Sequence, residues 1–501
     1  MKDVEIAMNP NKIVRYLRKL PEEFTKKDLI KFIENNKIEM VNLRYVGGDD
    51  RLKTLNFVIT SKSQLDRLLS VGERVDGSSL FSYIDSASSD LYVIPRYRTA
   101  FLNPFSEIPA VDILCSYYTN QGIPLASSPE NIVRKADQAL KKSTGLTLEA
   151  MGELEYYIFR QKSPLYLVTA QKGYHESAPF SKCESLKCKA MQAIAQAGGK
   201  IKYSHSEVGH FYEENQEIEQ QEIEFLPVPL IDAADQIAIA KWALRMVGQM
   251  YGVAVSFAPK ILVGHAGSGL HVHTKLSKAG KNVMVEGGKL SDVAKRAIAG
   301  HLNLASSLTA FGNTVPLSYL RLVPHQEAPT NICWGDRNRS VLVRVPLGWR
   351  SGVDSMLRDA NPQEKEKVVR VDDKQTVEFR CPDGSANIYL LLAGLAVATR
   401  HGLEMKNALE LADKLYVDVN IFSDEYKKIQ ESLPQLPTSC QESAENLLKD
   451  RQIYEKDGVF SPATIEGVAK KLKSYNDKEL SEKLHDKKDE IKKLIDKYFY
   501  I

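Results

Sequence analysis

The sequence predicts an α+β protein in two parts, a strand-rich N-terminal unit over 1–125 and a larger mixed domain over 126–501. Three observations predict it. Strand and hairpin patterns crowd the first 118 residues behind a short helical start. A Pro/Ser-rich break, "NQGIPLASSPENIVRKADQAL", follows them and leads into a helix. From there to about residue 400 strands and helices alternate, and the last hundred residues are helical and strongly charged.

Taken in order, "NKIVRYLRKL" and "TKKDLIKFIENN" space apolar residues at helical intervals within 1–35, and Thr25 stands where a capping hydroxyl belongs. "IEMVNLRYVGGDDRLKTLNFVIT" reads as two strands joined at a Gly-Gly-Asp-Asp turn. "LYVIPRYRTAFLNPF" and the run to Tyr118 supply further strands, and a helix is expected near 129. The apolar run "YLLLAGLAVA" is about half the length that crosses a bilayer and reads as a buried helix. "KELSEKLHDKKDEIKKLIDKYF" is expected to be a solvated amphipathic helix rather than a partner-binding one.

Bulk composition excludes some functions. Charged residues make up 26% and hydrophobic residues 43% of the 501, as in an ordinary soluble globular protein. A net charge of +3 gives no support to nucleic acid or a membrane as the main partner. The first twenty residues lack the apolar centre of a signal peptide. Six cysteines (115, 183, 188, 333, 381 and 440) lie scattered, without two pairs at zinc-site spacing, so reduced thiols in a cytoplasmic protein are expected. There is no P-loop and no 20–50-residue repeat.

Chemistry-bearing residues recur on strand faces. "GHAGSGLHVHTKL" places His271 and His273 on one face of a strand, with Leu270, Val272 and Thr274 on the other. Alone, the pair fits a polar strand face. "MGELEYYIF" puts Glu153 with Glu155, "QQEIEFLPVP" Glu222 with Glu224, "TVEFRCP" Glu378 with Arg380, and "YSHSEVGH" His205 with Glu207. Each alone is equally a solvent-facing side. If the strands share a sheet, five or more carboxylates converge, and such like charges need cations to neutralise them. Oxygen ligands with one imidazole suit Mg²⁺ or Mn²⁺ rather than zinc, and two bridged metals would serve phosphoryl transfer. Arg321 in "SYLRLVPHQEAP", with Arg337, Arg339 and Arg344 in "WGDRNRSVLVRVP", offers bidentate binding of carboxylates and phosphates. Together these features point to ATP chemistry without a Walker loop.

These segments, in this order, resemble the glutamine synthetase family of the bacterial type I class from about Ile38 to Asp450. The motifs are "VDGSS" at 75–79, "KGY" at 172–174, "GSGLHVH", "SYLRLVPHQEAP", "RNRSVLVRVP" and "VEFRCPDGSANIYL". The resemblance implies an N-terminal β-grasp domain and a catalytic domain with a curved antiparallel sheet flanked by helices. It implies a homo-oligomer, a dodecamer of two hexameric rings, with active sites between subunits. By the same resemblance Glu155, Glu207 and Glu222 match the ligands of one metal, and Glu153, His271 and Glu378 those of the other, for two or three Mg²⁺ or Mn²⁺ ions per site. His273, Arg339 and Arg344 match the ATP contacts. Arg321, Arg380, Gly267 and Tyr174 fall at substrate-binding positions, Arg339 and Arg380 among the catalytic ones. Glu327 matches a flap carboxylate, and Asp76 forms the ammonium pocket with Tyr174 and Glu207. The implied reaction is glutamate attacking ATP to give γ-glutamyl phosphate, from which ammonia displaces phosphate.

Departures from the family pattern bear on the amine and on regulation. His265 and Ala266 replace the usual Asp-Asn before the glycines, and "LFSYIDSASSD" replaces a glycine-tryptophan stretch. An insertion, "GHFYEENQEIEQ", separates Glu207 from Glu222 and makes Glu217 and Glu219 rivals for the ligand position. "DKLYVDVNIF" keeps Tyr416 of the usual modification loop but not the Asp-Leu-Pro after it. Two other readings stay open: a γ-glutamyl ligase for a larger amine, and a catalytically silent regulator of the same fold. Intact Asp76 and Tyr174 favour ammonium, and no metal ligand is lost.

Overall fold

The computed structural model describes residues 2–81, 84, 89–323, 328–348, 353–366, 374–484 and 487–501. Helices Lys2–Met8, Lys12–Leu17 and Lys26–Asn35 open the chain, and the Thr25 hydroxyl accepts the Asp28 N–H as a cap. Strands β1 (Met40–Val46) and β2 (Leu52–Val58) form the expected hairpin around the Gly-Gly-Asp-Asp turn. With β3 (Glu73–Asp76), β4 (Asp90–Pro95), β5 (Phe101–Leu102) and β6 (Ala110–Thr119) they make one sheet in the order β2-β1-β6-β4-β3, with β5 beside β6. β1 runs parallel to β6 at its centre, and helix Lys62–Val71 packs against β4 over a core that includes Leu65, Leu69, Val93 and Ile113. This is the β-grasp arrangement.

The second sheet holds β7 (Thr147–Gln161), β8 (Ile201–Glu213), β9 (Gln216–Phe225), β12 (Leu270–Lys278), β16 (Trp334–Asp336), β17 (Val343–Val345) and β18 (Val377–Phe379), in the order β16-β17-β18-β12-β7-β9-β8. Short strands β10 (Val228–Pro229) and β11 (Ala254–Ser256) pair with β7 and β13 (Lys281–Asn282) with β12, while β14 (Val285–Glu286) and β15 (Lys289–Leu290) form a separate ribbon. The sheet is antiparallel except for the short β16–β17 pair. Helices Pro129–Thr144 and Leu230–Met250 cover its apolar face, helix Ile388–Glu404 packs on them in turn, and the run at 389–398 is buried as expected. Among the described residues no helix is long and apolar enough to cross a membrane.

The charged C-terminal segment departs from expectation. It forms two helices, Leu480–Lys483 and Lys488–Tyr498, rather than one. Leu484, Ile495 and Tyr498 are buried against Tyr157, Phe211 and Ile218, so its apolar edge is packed while its lysines stay in water.

Buried ion pairs fasten the two sheets' domains. Arg96 donates twice to Asp235 at 2.8 and 2.9 Å, and the Tyr389 hydroxyl donates to the same carboxylate at 2.7 Å. Lys241 donates to Asp50 and to the Gly384 carbonyl, each at 3.0 Å.

Candidate active site

Strand register explains why the acidic residues meet. Directly opposed residues of an antiparallel pair project to the same side of the sheet. β12 sets His271 opposite Glu153 and His273 opposite Glu378, while β9 sets Glu222 opposite Glu155 and Glu224 opposite Glu153. β8 completes the row with His205 opposite Glu222. Alternation along β9 then puts Glu217 and Glu219 on the reverse side. There Glu217 pairs with Arg160 at 3.0 Å and His210 at 3.2 Å, and Glu219 takes the Ser181 hydroxyl and the Lys182 N–H. The rivals of Glu222 are therefore engaged elsewhere.

Two groups of ligand atoms lie within reach of one ion each: Glu153 with His273 and Glu378, and His205 with Glu207 and Glu222. Both histidines of the pair reach Glu153, His273 Nε2 at 2.9 Å and His271 Nδ1 at 3.1 Å. The tighter group takes His273, whose Nδ1 lies 2.9 Å from the Thr376 hydroxyl, while His271 Nδ1 stands 3.7 Å from Glu378. Glu155 is oriented by the Gly269 N–H at 2.7 Å and Gln220 Nε2 at 3.0 Å. His271 Nε2 lies 3.9 Å from its other oxygen.

The two groups differ in charge. Burial opposes ionisation of Glu153, but His273 and His271 hold its pKa well below the usual range. Burial and Glu153 likewise oppose Glu378, which Arg380 and the two imidazoles nonetheless keep below the usual value. On the other side, burial pushes Glu155 up to about 7 despite His271. Burial and then Glu153, Glu155 and Glu207 drive Glu222 well above its ordinary value. In that carboxylate cluster burial and like charge outweigh the nearby positive charge of His271 and Arg321. Oxygen donors with one imidazole in each group fit a hard divalent cation such as Mg²⁺ or Mn²⁺.

Arginines close the other side. Arg344 Nη1 and Arg380 Nε donate to the two oxygens of Glu378 at 2.9 and 3.0 Å. Arg321 is buried, donating to the Cys381 carbonyl at 2.7 Å. Arg339 is exposed beside Tyr174; burial disfavours its charge, but the Tyr174 hydroxyl and then Glu378 and Glu207 hold its pKa above the ordinary value. Two glycines allow the close approach. A Cβ on Gly269 would stand 2.6 Å from Arg321 Nη2 and 2.8 Å from His271 Nε2, and one on Gly267 would stand 2.7 Å from the Pro259 carbonyl. Glu327 lies outside the described residues.

Asp76 stands apart on the N-terminal sheet, exposed at the end of β3. Its Oδ1 accepts the Ser78 N–H and hydroxyl at 3.0 and 2.8 Å, and its Oδ2 the Ser79 hydroxyl at 2.6 Å. Tyr174 stacks on His175 with ring centroids 4.2 Å apart and meets the edge of His205 at 5.5 Å. The structure thus gathers Tyr174 with the sheet-face histidine and leaves Asp76 in its own turn.

Sequence reasoning placed His205 on the acidic face without giving it a role, and missed Gln171, Gln220 and Thr376. Gln220 shares the parity of Glu222, a signal that was present. Gln171 carried none: its side-chain oxygen accepts the Ala266 N–H at 2.8 Å from a loop 95 residues away. Two departures from the family pattern also touch, since Phe211 of the insertion packs on His265 at 4.9 Å between centroids. Tyr416 of the altered modification loop is 40% exposed and lies edge-on to Trp334.

Two family models match the chain, "Glutamine synthetase, beta-Grasp domain" over residues 37–120 and "Glutamine synthetase, catalytic domain" over 126–491. The glutamine synthetase of Thermus thermophilus is 30% identical over 448 residues, spanning 87% of this chain and 92% of the relative. That of Clostridium saccharobutylicum is 29% identical over 443 residues, spanning 87% and 91%. Among solved structures, Plasmodium falciparum glutamine synthetase superposes with a TM-score of 0.73 at 20% identity, covering 91% of this chain and 97% of that one. The GmaS/ADP complex superposes with a TM-score of 0.72 at 19% identity, covering 90% and 96%.

Proposed function

The chain belongs to the glutamine synthetase family, and on that premise we propose how its own residues carry out the reaction. It is an ATP-dependent glutamate–ammonia ligase: it makes glutamine from glutamate and ammonia through γ-glutamyl phosphate. The observation that supports the residue roles is the crowding of carboxylates and imidazoles on one sheet face, bordered by arginines. Glu153 and Glu378 with the histidine pair would hold one Mg²⁺ or Mn²⁺, and Glu155, Glu207 and Glu222 with His205 another. Bound there, the cations supply positive charge against the phosphates of ATP. The histidine pair serves both this cation and the nucleotide.

Arg339 from the exposed rim and the partly buried Arg344 steady the ATP phosphates, and Arg321 and Arg380 hold glutamate and its developing phosphate where charge builds up. Glu327, by resemblance, closes over the intermediate. Ammonium is charged at neutral pH and must lose a proton before it attacks, so it needs an anion that draws it in and a group that takes the proton. Asp76 and Glu207, with Tyr174, fill that need. Asp76 is exposed and on a different sheet from Glu207, which supports a site completed across a subunit contact in two stacked hexameric rings. A cytoplasmic place accords with this activity.

The test separates the half-reactions. With Asp76→Asn, glutamate-dependent acyl phosphate, trapped as its cyclised product, should form at the wild-type rate. Glutamine formation should fall by roughly 10²–10⁴-fold, as for a lost general base, and hydroxylamine, already neutral, should restore part of it. Equal slowing of both steps would make Asp76 a turn residue only. A panel of larger amines in the same assay should give rates well below that with ammonia.

A further inference from the structure

A cleft of about 820 Å³ lies away from the sheet face, between the helical start of the chain and the catalytic domain. One wall comes from helices Lys12–Leu17 and Lys26–Asn35, the other from helix Glu184–Gln196, with the segment after β5 between them. The first wall precedes residue 37, where the β-grasp family match begins. This wall therefore lies outside the matched domains, while the rest of the lining lies within them, and the ligase reaction gives the cleft between them no task. Its volume falls within the range of small-molecule sites, about 300–1,000 Å³.

The lining is basic on both sides. Lys12 and Arg15 face it from the first wall and Lys189 from the second, against one carboxylate, Glu107. Among the described residues none of the three cations lies within ion-pair distance of a carboxylate. Lys189 Nζ has a long 3.4 Å contact to Gln192. Charges of one sign gathered without counter-ions raise a local positive potential that draws anions. An aromatic corner adjoins them: Tyr16 meets Phe32 edge to face at 5.3 Å, and Tyr16 is 41% exposed. Cations beside an open aromatic surface suit a ligand with an anionic end and a flat body. Inorganic phosphate would fill only a small part of the space.

We propose that this cleft binds a small organic polyanion up to the size of a nucleoside monophosphate, separately from the ATP and glutamate sites. The second wall gives such binding a route to the chemistry. Helix Glu184–Gln196 turns through residues 197–200 directly into β8, which carries His205 and Glu207, and the Lys200 N–H is fixed to Gln236 at 3.0 Å. A ligand bridging Lys12, Arg15 and Lys189 would stiffen that helix and turn.

The experiment uses the assembled full-length protein with its ATP site saturated by a non-hydrolysable ATP analogue and Mg²⁺. Calorimetric titration with UMP, citrate and inorganic phosphate tests the ring-bearing anion, the ring-free polyanion and the bare ion. UMP or citrate should bind once per chain and inorganic phosphate more weakly. Removing one charge-assisted hydrogen bond should weaken binding about tenfold, so Lys12→Glu/Arg15→Glu should cost about a hundredfold and Lys189→Glu about tenfold. Amide exchange over 184–200 should slow with the bound ligand. All three are exposed residues, and unchanged melting of the variants would confirm that they fold. Absence of binding by UMP and citrate up to about 10 mM, the edge of useful affinity, would overturn the proposal. So would equal binding by the variants. If wild type binds no anion and the reversals instead alter the oligomeric state, the cleft is a contact between copies of the chain and the proposal fails.

Discussion

Replacing Glu222 with Gln should make the protein more stable without cations and less responsive to them. The ligand atoms of Glu222 and Glu207 lie within 4.8 Å of each other, with His205 between them. At an effective dielectric near 20, two unit charges at that distance repel by about 3.5 kcal/mol. His205 would offset this only when protonated, and burial lowers its pKa, so at pH 8 it is neutral. Glu222 itself resists ionisation there, which makes 3.5 kcal/mol an upper bound; a gain of about 2 kcal/mol for Glu222→Gln in chelator at pH 8 is the working value. Saturating Mg²⁺ or Mn²⁺ should reverse the order, because the wild type gains about 2.7 kcal/mol at a hundredfold excess over its dissociation constant. The amide, lacking the anionic charge, gains less. Guanidinium unfolding with EDTA and with each cation measures both effects, and glutamine formation should collapse in parallel. If the variant is less stable in EDTA, or gains as much from Mg²⁺ as the wild type, the carboxylate cluster is not a cation site.

Two further outcomes concern the scaffold. Lys241→Met strips a buried partner from Asp50, whose pKa burial already pushes upward against Lys241, and should cost about 3–5 kcal/mol; Lys241→Met/Asp50→Asn should recover most of this in denaturant midpoints, and full additivity of the two changes would refute the pairing. His301 is buried, with its pKa lowered by burial to about 4 from 6.5. Its depressed value means that stability held above pH 6.5 is lost as pH falls towards 4, up to about 3.4 kcal/mol over that gap; melting compared at pH 7.5 and pH 4.5 should show a larger drop in wild type than in His301→Gln.

Most of the acidic face was legible because a strand's period is two. Glu153 with Glu155, Glu222 with Glu224 and His271 with His273 needed no more than alternation to share a side. Two facts escaped that rule. The choice of Glu222 over Glu217 and Glu219 depends on pairing, Glu155 opposite Glu222, and register is a property of two strands. β8 also slips by two residues against β9 between Ser206 and His210, so alternation still gives the side of each residue beyond Glu207 but counting no longer gives its partner. The charged C-terminal segment misled for a related reason. A helical stripe shows that one side is apolar but not what covers it, and here Tyr157 and Phe211 do.

Asp76 shows where single-chain geometry and chemistry pull apart. "VDGSS" is read correctly as a tight turn that holds a carboxylate, and the turn is observed. Yet the same hydrogen bonds, from Ser79 first and then Ser89 and Ser78, hold its pKa below the usual carboxylate range. Such donors favour the anion, which suits attraction of ammonium and opposes acceptance of its proton. For Asp76 to act as a base, at least one of these hydroxyls must let go of it when the neighbouring subunit and substrate arrive. Otherwise its carboxylate serves as a fixed negative charge and Glu207 takes the proton. In that case Asp76→Asn raises the KM for ammonium far more than it lowers kcat, because what is lost is binding of the cation rather than transfer of its proton.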